Sequence, residues 1–214
     1  IGRNLRHHNL VSVSDVGLAP DGSPFFVMEL LEGTTLSHKL KVPRLHSLRE
    51  IISIITQVCD ALSAAHAFGV MHLDLRPENI FLLDDSRHVR LIDFSHSLFL
   101  GDQLPKGYVT GTTGYIAPEA LSGDINPGND IFALGVTMYE LLAGRVPFDH
   151  YGPLHAVLMA NPEPPSYYRA DHGVVSSAAL DDIVMQALEK KPEKRFQTPT
   201  EMKIALLNSR ITAS

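Results

Sequence analysis

The segment from Asn129 to Ala143 constrains the fold of this 214-residue chain most. Drawn as a helix, it is apolar on almost every side, through Ile131, Phe132, Leu134, Val136, Met138, Tyr139, Leu141 and Leu142. A helix with one apolar stripe can lie on a surface, whereas a helix that is apolar all round must be packed by neighbours throughout. We therefore expect this helix at the centre of the fold. Its longest apolar run stops at Glu140, far short of the roughly 18 residues that a membrane span requires.

The sequence predicts three further helices, at about Leu48 to Phe68, 177 to 190 and 198 to 208. In the first of them, apolar residues recur on one face with the helical period. Ser47 precedes this helix and Glu50 follows three residues after Ser47, which is the pattern of a capping box. Gly69 is suited to end the helix. These signals predict both ends of the helix.

Four strands are also predicted, at Leu10–Val16, Phe25–Leu31, Ile80–Leu83 and Val89–Ile92. Turn residues from Gly17 to Pro24 join the first two strands into a hairpin. We expect the second strand of this hairpin, Phe25–Leu31, to be buried, and Gly33 to end it. The stretch 95–128 shows no clear pattern, and a loop of that length inside a compact domain is usually functional.

The composition excludes several classes of protein. The chain has 44% hydrophobic and 20% charged residues, which is typical of a globular protein. Its net charge of −6 provides no broad basic surface for nucleic acid. The single cysteine, Cys59, rules out an internal disulfide framework and fits a reducing compartment. We expect a cytoplasmic localisation and no membrane contact from this segment, and leave open a membrane tether elsewhere in a longer parent protein.

The residues suited to chemistry are concentrated between Val70 and Leu83. His72 and Asp74 lie two positions apart, Asn79 follows five residues after the aspartate, and Asp93 comes after the next predicted strand. Phosphoryl transfer needs hard oxygen ligands for Mg²⁺ and a carboxylate that orients a hydroxyl. These side chains supply both. By itself the spacing fits equally well a turn that is capped by the aspartate and the asparagine.

The two stretches are similar to motifs of the eukaryotic-like (Hanks-type) protein kinases, whose catalytic loop reads H-R-D-L-K-P-E-N and is followed by D-F-G. Here they read His72-Leu-Asp-Leu-Arg-Pro-Glu-Asn79 and Asp93-Phe-Ser95. Further motifs follow in the order of the family: Gly111-Thr-Thr-Gly-Tyr-Ile-Ala-Pro-Glu119, Asp130-Ile-Phe-Ala-Leu-Gly135, Val146-Pro-Phe148 and Lys191-Pro-Glu-Lys-Arg195-Phe. The residues of the last motif are most similar to those of bacterial serine/threonine kinases.

The resemblance covers nearly the whole chain and implies an α+β, protein kinase-like fold. Residues 1–33 would be a remnant of the N-lobe, with the end of helix C, two strands of its β-sheet and the hinge. Residues 34–214 would be the mostly helical C-lobe.

The resemblance also implies a role for each matching catalytic residue. Asp74 would accept or orient the substrate hydroxyl, and Asn79 and Asp93 would hold Mg²⁺. Arg76 stands where the family carries a lysine that contacts the γ-phosphate. Thr112 matches the threonine that hydrogen-bonds the catalytic loop.

For ATP, the resemblance implies a pocket at the other side of the loop. Met28 matches the gatekeeper, and the backbone of Glu29 to Leu31 matches the hinge that hydrogen-bonds adenine. Phe81 matches an apolar residue under the adenine ring. The residues alone leave open ordinary core positions for Met28 and Phe81.

Structural roles for four residues follow from the same resemblance. Glu119 and Arg195 are expected to form a buried ion pair that anchors the substrate-binding segment. Asp130 is expected to hold the catalytic loop, and His72 to be packed and hydrogen-bonded rather than to act as an acid or base. Small-molecule kinases share the catalytic loop but lack the anchored segment, which argues against that class.

Three departures from the family pattern bear on function. Leu73 replaces the arginine that normally meets a phosphorylated residue, and Ser95 replaces the glycine of D-F-G. The chain contains no G-x-G-x-x-G loop, and the strand lysine and its helical glutamate partner are not found in it. We therefore expect the 214 residues alone to lack kinase activity and to self-associate through exposed strand edges.

The function that the resemblance implies is that of a serine/threonine protein kinase, acting in the full-length parent. Its substrates would be ATP and protein Ser or Thr hydroxyls, with Mg²⁺ as the cofactor. The alternative is a pseudokinase that binds nucleotide or docks a protein, which Leu73 and Ser95 favour.

Overall fold

The computed structural model describes residues 5–41, 47–84, 88–102, 105, 109–148, 157–168 and 176–209. The helices are α1 (Leu36–Leu40), α2 (Leu48–Ala67), α3 (Gly128–Ala143), α4 (Ala178–Ala187) and α5 (Pro199–Asn208), and residues 157–159 are also helical. The strands are β1 (Val13–Leu18), β2 (Pro24–Met28), β3 (Gly33–Thr35), β4 (Val70–Met71), β5 (Ile80–Leu83), β6 (Val89–Leu91) and β7 (Leu98–Phe99). Single turns of 3₁₀ helix lie at Pro77–Asn79, Glu119–Ser122, Pro165–Tyr168 and Pro192–Lys194.

Helix α3 is the centre of the fold, as its apolar sequence predicts. Of its 16 residues, 14 are buried, and helices α2 and α4 pack against it. Gly135 allows the close approach of α4, because a Cβ atom at this position would lie 2.8 Å from the Cβ of Ala187. Each fully buried Leu, Ile or Phe side chain of such a helix contributes roughly 1.5–3 kcal/mol to folding. Burial of this helix therefore holds the helical body together.

Helix α2 also begins and ends where the sequence predicts. The Ser47 hydroxyl accepts a hydrogen bond from the Glu50 amide at 3.3 Å. At the other end, Gly69 takes a left-handed conformation with φ of 73°. The outer side of α2 carries an ion pair to α5, in which Lys203 Nζ lies 2.7 Å from both carboxylate oxygens of Asp60. Cys59 is fully buried in this helix.

The hairpin of β1 and β2 forms as predicted, with Val16 opposite Phe26. The expectation that Phe25–Leu31 is a buried strand is wrong. Every residue of β2 is exposed, and Glu29 to Leu31 lie beyond the strand. Among the described strands, β1 and β2 pair only with each other, and the apolar side chains of β2 remain exposed.

Two small sheets support the polar loops. Strands β3, β5 and β6 form one antiparallel sheet, and β4 pairs with β7 in another. The stretch 95–128, which shows no clear pattern in the sequence, contains β7 and the turn at Glu119–Ser122. Backbone pairing with β4 accounts for this difference, since a strand of two residues has too few positions to show a pattern.

The N-terminal residues join the body through backbone hydrogen bonds to β6. Leu10 forms an isolated parallel bridge with Leu91, in which the Val11 amide donates to the Leu91 carbonyl at 3.0 Å. The predicted end of helix C falls partly on residues 1–4, outside the described residues, and residues 5–7 are not helical. In the described part of the chain, no helix is both long and apolar enough to cross a membrane.

Candidate active site

The loop after β4 is held by a buried carboxylate in the first turn of α3. Asp130, fully buried, accepts hydrogen bonds from the backbone amides of His72 at 2.9 Å and Leu73 at 2.8 Å. Its Oδ2 atom also lies 2.7 Å from Nε2 of His66 at the end of α2. The expected role of Asp130 is therefore confirmed. The carboxylate joins both long helices to the loop.

The protonation states of this buried cluster follow from its hydrogen bonds. Burial alone raises the pKa of Asp130, but the hydrogen bond and charge of His66, with the backbone amides, outweigh it and bring the pKa below its ordinary value. Burial lowers the pKa of His72. A neutral imidazole explains its contacts, because Nδ1 accepts from the Asp74 amide at 3.2 Å while Nε2 lies 3.0 Å from the Ile92 carbonyl. His72 is thus a packed, hydrogen-bonded residue, as predicted.

The Asp74 carboxylate lies at the centre of a chain of side-chain hydrogen bonds. Its Oδ1 accepts from the Thr112 hydroxyl at 2.6 Å, and its Oδ2 accepts from Nδ2 of Asn79 at 3.1 Å. Thr112 in turn accepts from Nη1 of Arg76 at 2.8 Å, and Nε of Arg76 donates to Glu78 at 2.6 Å. Four of the residues singled out from the sequence therefore meet at one point, and the carboxylate is fixed on both oxygens.

The register of β5 and β6 brings Asn79 and Asp93 to the same end of a hairpin. Ile80 lies opposite Leu91, and the Ile92 amide donates to the Asn79 carbonyl at 2.9 Å. Asn79 therefore precedes one strand just where Asp93 follows the other. The Nδ2 group of Asn79 makes its hydrogen bonds to Asp74. The amide oxygen takes no part in these bonds and is the atom suited to a cation.

Asp93 is exposed and has a left-handed backbone, with φ of 61°. Partial burial raises the pKa of its carboxyl, but hydrogen bonds from the side chain and the backbone amide of Ser95 outweigh burial and lower the pKa. The carboxylate is therefore ionised at neutral pH. Ser95 itself is not in the left-handed region, because among the described non-glycine residues only Leu73 and Asp93 have positive φ. The serine in place of glycine thus fits this conformation without backbone strain.

These two oxygen ligands fit Mg²⁺ better than a metal that needs a full protein cage. The described residues contain no group of three or more His, Cys, Asp or Glu side chains that could hold a metal ion. Mg²⁺ keeps several waters and is usually bound by one or two carboxylates together with substrate phosphates. Asn79 and Asp93 supply ligands of the right kind and number for that mode.

The residues assigned to ATP lie on two different sheets and on the stretch between β2 and β3. Phe81 is half-buried on β5, opposite Thr35 of β3 and Arg90 of β6. Met28 ends β2 with 51% of its surface exposed, so it is not an ordinary core residue. Glu29 is tied to the start of the hairpin, since its carboxylate accepts from the Ser12 amide at 2.7 Å. Leu31 is half-buried just before β3.

The segment that carries Thr112 is anchored by a buried ion pair. Both Nη atoms of Arg195 lie 2.7 Å from the two carboxylate oxygens of Glu119, 76 positions away. The Arg195 side chain is fully buried and that of Glu119 is 10% exposed. The predicted pair is confirmed, whereas the neighbouring Lys191 and Lys194 are exposed. Lys190 is an exception, because it is half-buried over Phe148 and donates to the Val157 carbonyl at 2.7 Å.

The family described as "Protein kinase domain" matches residues 1–205. The chain belongs to the protein kinase family. It is 38% identical to serine/threonine-protein kinase Pkn1 of Myxococcus xanthus, over 94% of this chain and 30% of that protein. It is 34% identical to serine/threonine-protein kinase PknB of Mycobacterium tuberculosis, over 95% of this chain and 33% of that protein. This kinase chain thus spans about a third of the length of these curated relatives.

A solved kinase domain has the same fold. The crystal structure of the Mycobacterium tuberculosis PknI kinase domain matches 97% of this chain and 75% of that chain, with a TM-score of 0.76 and 27% identity. A double mutant of that domain matches with the same TM-score and 29% identity, over 97% of this chain and 74% of that chain. The kinase-like α+β fold expected from the motifs is therefore confirmed.

Several residues of this kinase site could not be assigned from its motifs. Ser37 donates to Glu78 at 2.8 Å, and Asn129 donates to Glu119 at 2.6 Å. The Tyr115 hydroxyl donates a short hydrogen bond to Glu140, which explains why one acidic residue interrupts the apolar helix α3. The presence of Glu140 in an otherwise apolar stretch was the one signal in the sequence that pointed to such a contact. The remaining contacts join residues far apart in sequence, with no spacing to reveal them.

Proposed function

We propose that this chain is part of the catalytic domain of a serine/threonine protein kinase. In this proposal the γ-phosphoryl group of ATP is transferred to Ser or Thr hydroxyls of proteins. The observation that carries it is the bridge made by Thr112, which donates to Asp74 and accepts from Arg76. The buried pair of Glu119 and Arg195 fixes the same segment. A segment that is fixed in this way gives a protein substrate a surface to bind. This favours a protein over a small molecule as the acceptor.

Asp74 would take the proton in the reaction. The substrate hydroxyl oxygen forms a bond to the γ-phosphorus while the bond from that phosphorus to the β–γ bridging oxygen breaks, so that ADP leaves. The hydroxyl proton passes to the Asp74 carboxylate. Hydrogen bonds from Thr112 and Asn79 hold this carboxylate in one orientation. Proton transfer by a positioned carboxylate contributes roughly 10²–10⁴ in rate.

Arg76 would neutralise charge on the transferred phosphoryl group. Its guanidinium has five N–H donors and stays charged at every relevant pH. The bonds to Thr112 and Glu78 fix the plane of the guanidinium. A lysine could not be held in this way, because an ammonium lacks a fixed fork of donors. The arginine therefore suits the lysine position of the family.

Asn79 and Asp93 would hold Mg²⁺, which neutralises phosphate charge when bound. The lowered pKa of Asp93 keeps this ligand ionised. Phe81, Met28 and the backbone of Glu29 to Leu31 would surround the adenine. We place this chemistry in the cytoplasm, which the buried, unpaired Cys59 thiol supports, and propose neither nucleic acid nor membrane lipid as a partner of this segment.

A pseudokinase is the second candidate, and it is favoured by Leu73 in place of the arginine and Ser95 in place of the glycine. Such a protein would bind nucleotide without transferring phosphate, or would dock another protein. The ligand set and the Asp74 carboxylate are intact, however, which favours the active kinase.

The test is transfer of labelled phosphate from Mg·ATP by the full-length protein to a generic protein substrate and, in parallel, to aminoglycosides. We expect phosphoserine and phosphothreonine in the protein and no label on the small molecules. Asp93→Asn should abolish transfer, whereas Asp182→Asn, at an exposed position of α4, should leave it unchanged.

The outcomes separate the candidates. Binding of ATP without transfer to any acceptor would support the pseudokinase. Label on the aminoglycoside alone would exclude a protein kinase. Equal activity of the Asp93→Asn and Asp182→Asn variants would show that the metal ligands are wrongly assigned.

A further inference from the structure

The segment that carries Thr112 meets the loop after Asp93 through a polar side-chain contact. Nδ1 of His96 lies 3.1 Å from the hydroxyl of Thr110. Thr110 is buried, with 7% of its surface exposed, whereas His96 is exposed. A threonine hydroxyl can donate to or accept from an imidazole nitrogen. Because one partner is buried, its hydroxyl depends on this contact instead of on solvent.

Leu73 places an apolar side chain, and not a charge, beside this contact. The leucine is 9% exposed and lines a mainly apolar pocket together with Thr110, Ile116 and Ala133. A phosphate on Thr110 would add a charge of about −1.5 to −2 to this buried position and would remove the hydroxyl from His96. The site is therefore built for the unmodified hydroxyl.

Gly111 transmits the position of Thr110 to the catalytic carboxylate. A Cβ atom at Gly111 would lie 2.6 Å from the Leu73 carbonyl oxygen, so the segment rests directly on the catalytic loop at this point. The residue on one side of the glycine contacts His96, and the residue on its other side, Thr112, contacts Asp74. Consecutive Cα atoms are about 3.8 Å apart. Because Gly111 is packed against the catalytic loop between these two contacts, we expect a shift of Thr110 to move Thr112 relative to the carboxylate.

We propose that the hydrogen bond between His96 and Thr110 positions Thr112 on Asp74 in the unphosphorylated protein. His96 and Thr110 are positioning residues in this account, since neither reaches the substrate. The inference rests on the proposed kinase function, which supplies its activity readout. The hydrogen bond and the mainly apolar pocket lined by Leu73 together order the segment that carries Thr112 without a phosphate.

The test compares conservative variants of the full-length protein. Thr110→Val removes the hydroxyl and keeps the shape, Thr110→Ser keeps the hydroxyl, and Thr113→Val is the matched control at an exposed threonine of the same segment. A hydrogen bond of ordinary strength corresponds to a change of about two- to tenfold in an equilibrium. We expect kcat to fall by about this factor in Thr110→Val, with KM for ATP unchanged. Thr110→Ser should restore kcat, and Thr113→Val should have no effect.

Three further measurements distinguish the loss of this contact from a general loss of stability and from an effect of phosphorylation. In a double-mutant cycle, His96→Ala should cost much less in a Thr110→Val background than in the wild type. Hydrogen exchange of the amides from 109 to 116 should speed up in Thr110→Val and not in Thr113→Val. Treatment of the wild type with a phosphatase should leave kcat unchanged.

Additive effects in the double-mutant cycle, a large loss of kcat on dephosphorylation, or equal kcat of Thr110→Val and wild type would each overturn the proposal. If the wild type transfers no phosphate, the proposed function fails, and hydrogen exchange then decides this inference alone. Faster exchange in Thr110→Val alone would support the positioning contact, and unchanged exchange would refute it.

Discussion

Replacing Arg195 by methionine should destabilise the fold more than any surface substitution nearby. The guanidinium donates five hydrogen bonds, two to Glu119 and one each to the carbonyls of Glu189, Gly128 and Lys190, at 2.7 to 3.2 Å. These use all five of its N–H groups. The guanidinium carbon also lies 4.9 Å from the centre of the Phe132 ring. Methionine retains much of the bulk and removes every one of these contacts.

The magnitude follows from the burial of both partners. The arginine side chain is fully buried, so among the described residues its loss leaves Glu119, 10% exposed, with Asn129 as the remaining side-chain donor. Breaking a buried pair on one side typically costs about 3–5 kcal/mol. That is a large share of the roughly 5–15 kcal/mol by which a domain is stable. With a urea m-value of about 2 kcal/mol/M, the unfolding midpoint should fall by about 1.5–2.5 M.

Urea unfolding followed by circular dichroism measures this shift, with Lys194→Met as the control at an exposed neighbouring position. The control should change the free energy of unfolding by less than about 0.5 kcal/mol. If Arg195→Met and Lys194→Met shift the midpoint equally, at an unchanged m-value, the pair does not stabilise the fold and the reasoning is refuted.

Three further predictions concern single groups. Burial raises the pKa of Cys59 to about 12, so a disulfide reagent should leave this thiol unmodified until the protein is unfolded; rapid reaction of the native protein would contradict its burial. The hydrogen bond from Arg76 lowers the pKa of Glu78 from 4.5 to about 2, so this carboxylate stabilises the fold above about pH 4.5 and loses that effect as the pH falls toward 2. In thermal unfolding, Tm should therefore fall less steeply with pH across this window in Glu78→Gln than in the control Glu193→Gln. Parallel curves of Tm against pH would refute this prediction. Asn79→Ala should raise the Mg²⁺ concentration needed for half-maximal transfer, and an unchanged requirement would exclude it as a ligand.

The sequence predicts helices better than it predicts burial of the hairpin. Helix α3 is central because its apolar residues leave no side for solvent, and α2 begins at Ser47 because a capping hydroxyl acts locally. The apolar strand Phe25–Leu31 reads as buried, yet β2 is exposed. The pattern of residues within one strand shows which side chains are apolar. It does not show whether another layer covers them.

The site divides in the same way. Asp74, Asn79 and Asp93 could be found from their spacing and order, because short loops around a hairpin fix their relative positions. The contact of His96 with Thr110 could not, since it joins two loops whose approach depends on the whole segment. Residues that match family motifs were thus predicted, and contacts peculiar to this chain required the structure.

The most direct test of the central claim is the single-turnover rate of phosphoryl transfer by the full-length protein at saturating Mg·ATP. Asp74→Asn keeps the size of the side chain and removes its capacity to take a proton. We predict a rate lower by roughly 10²–10⁴, with unchanged ATP affinity and an unchanged unfolding midpoint. A rate within a factor of about two of the wild type would show that Asp74 is not the proton acceptor, and would contradict the account of this site.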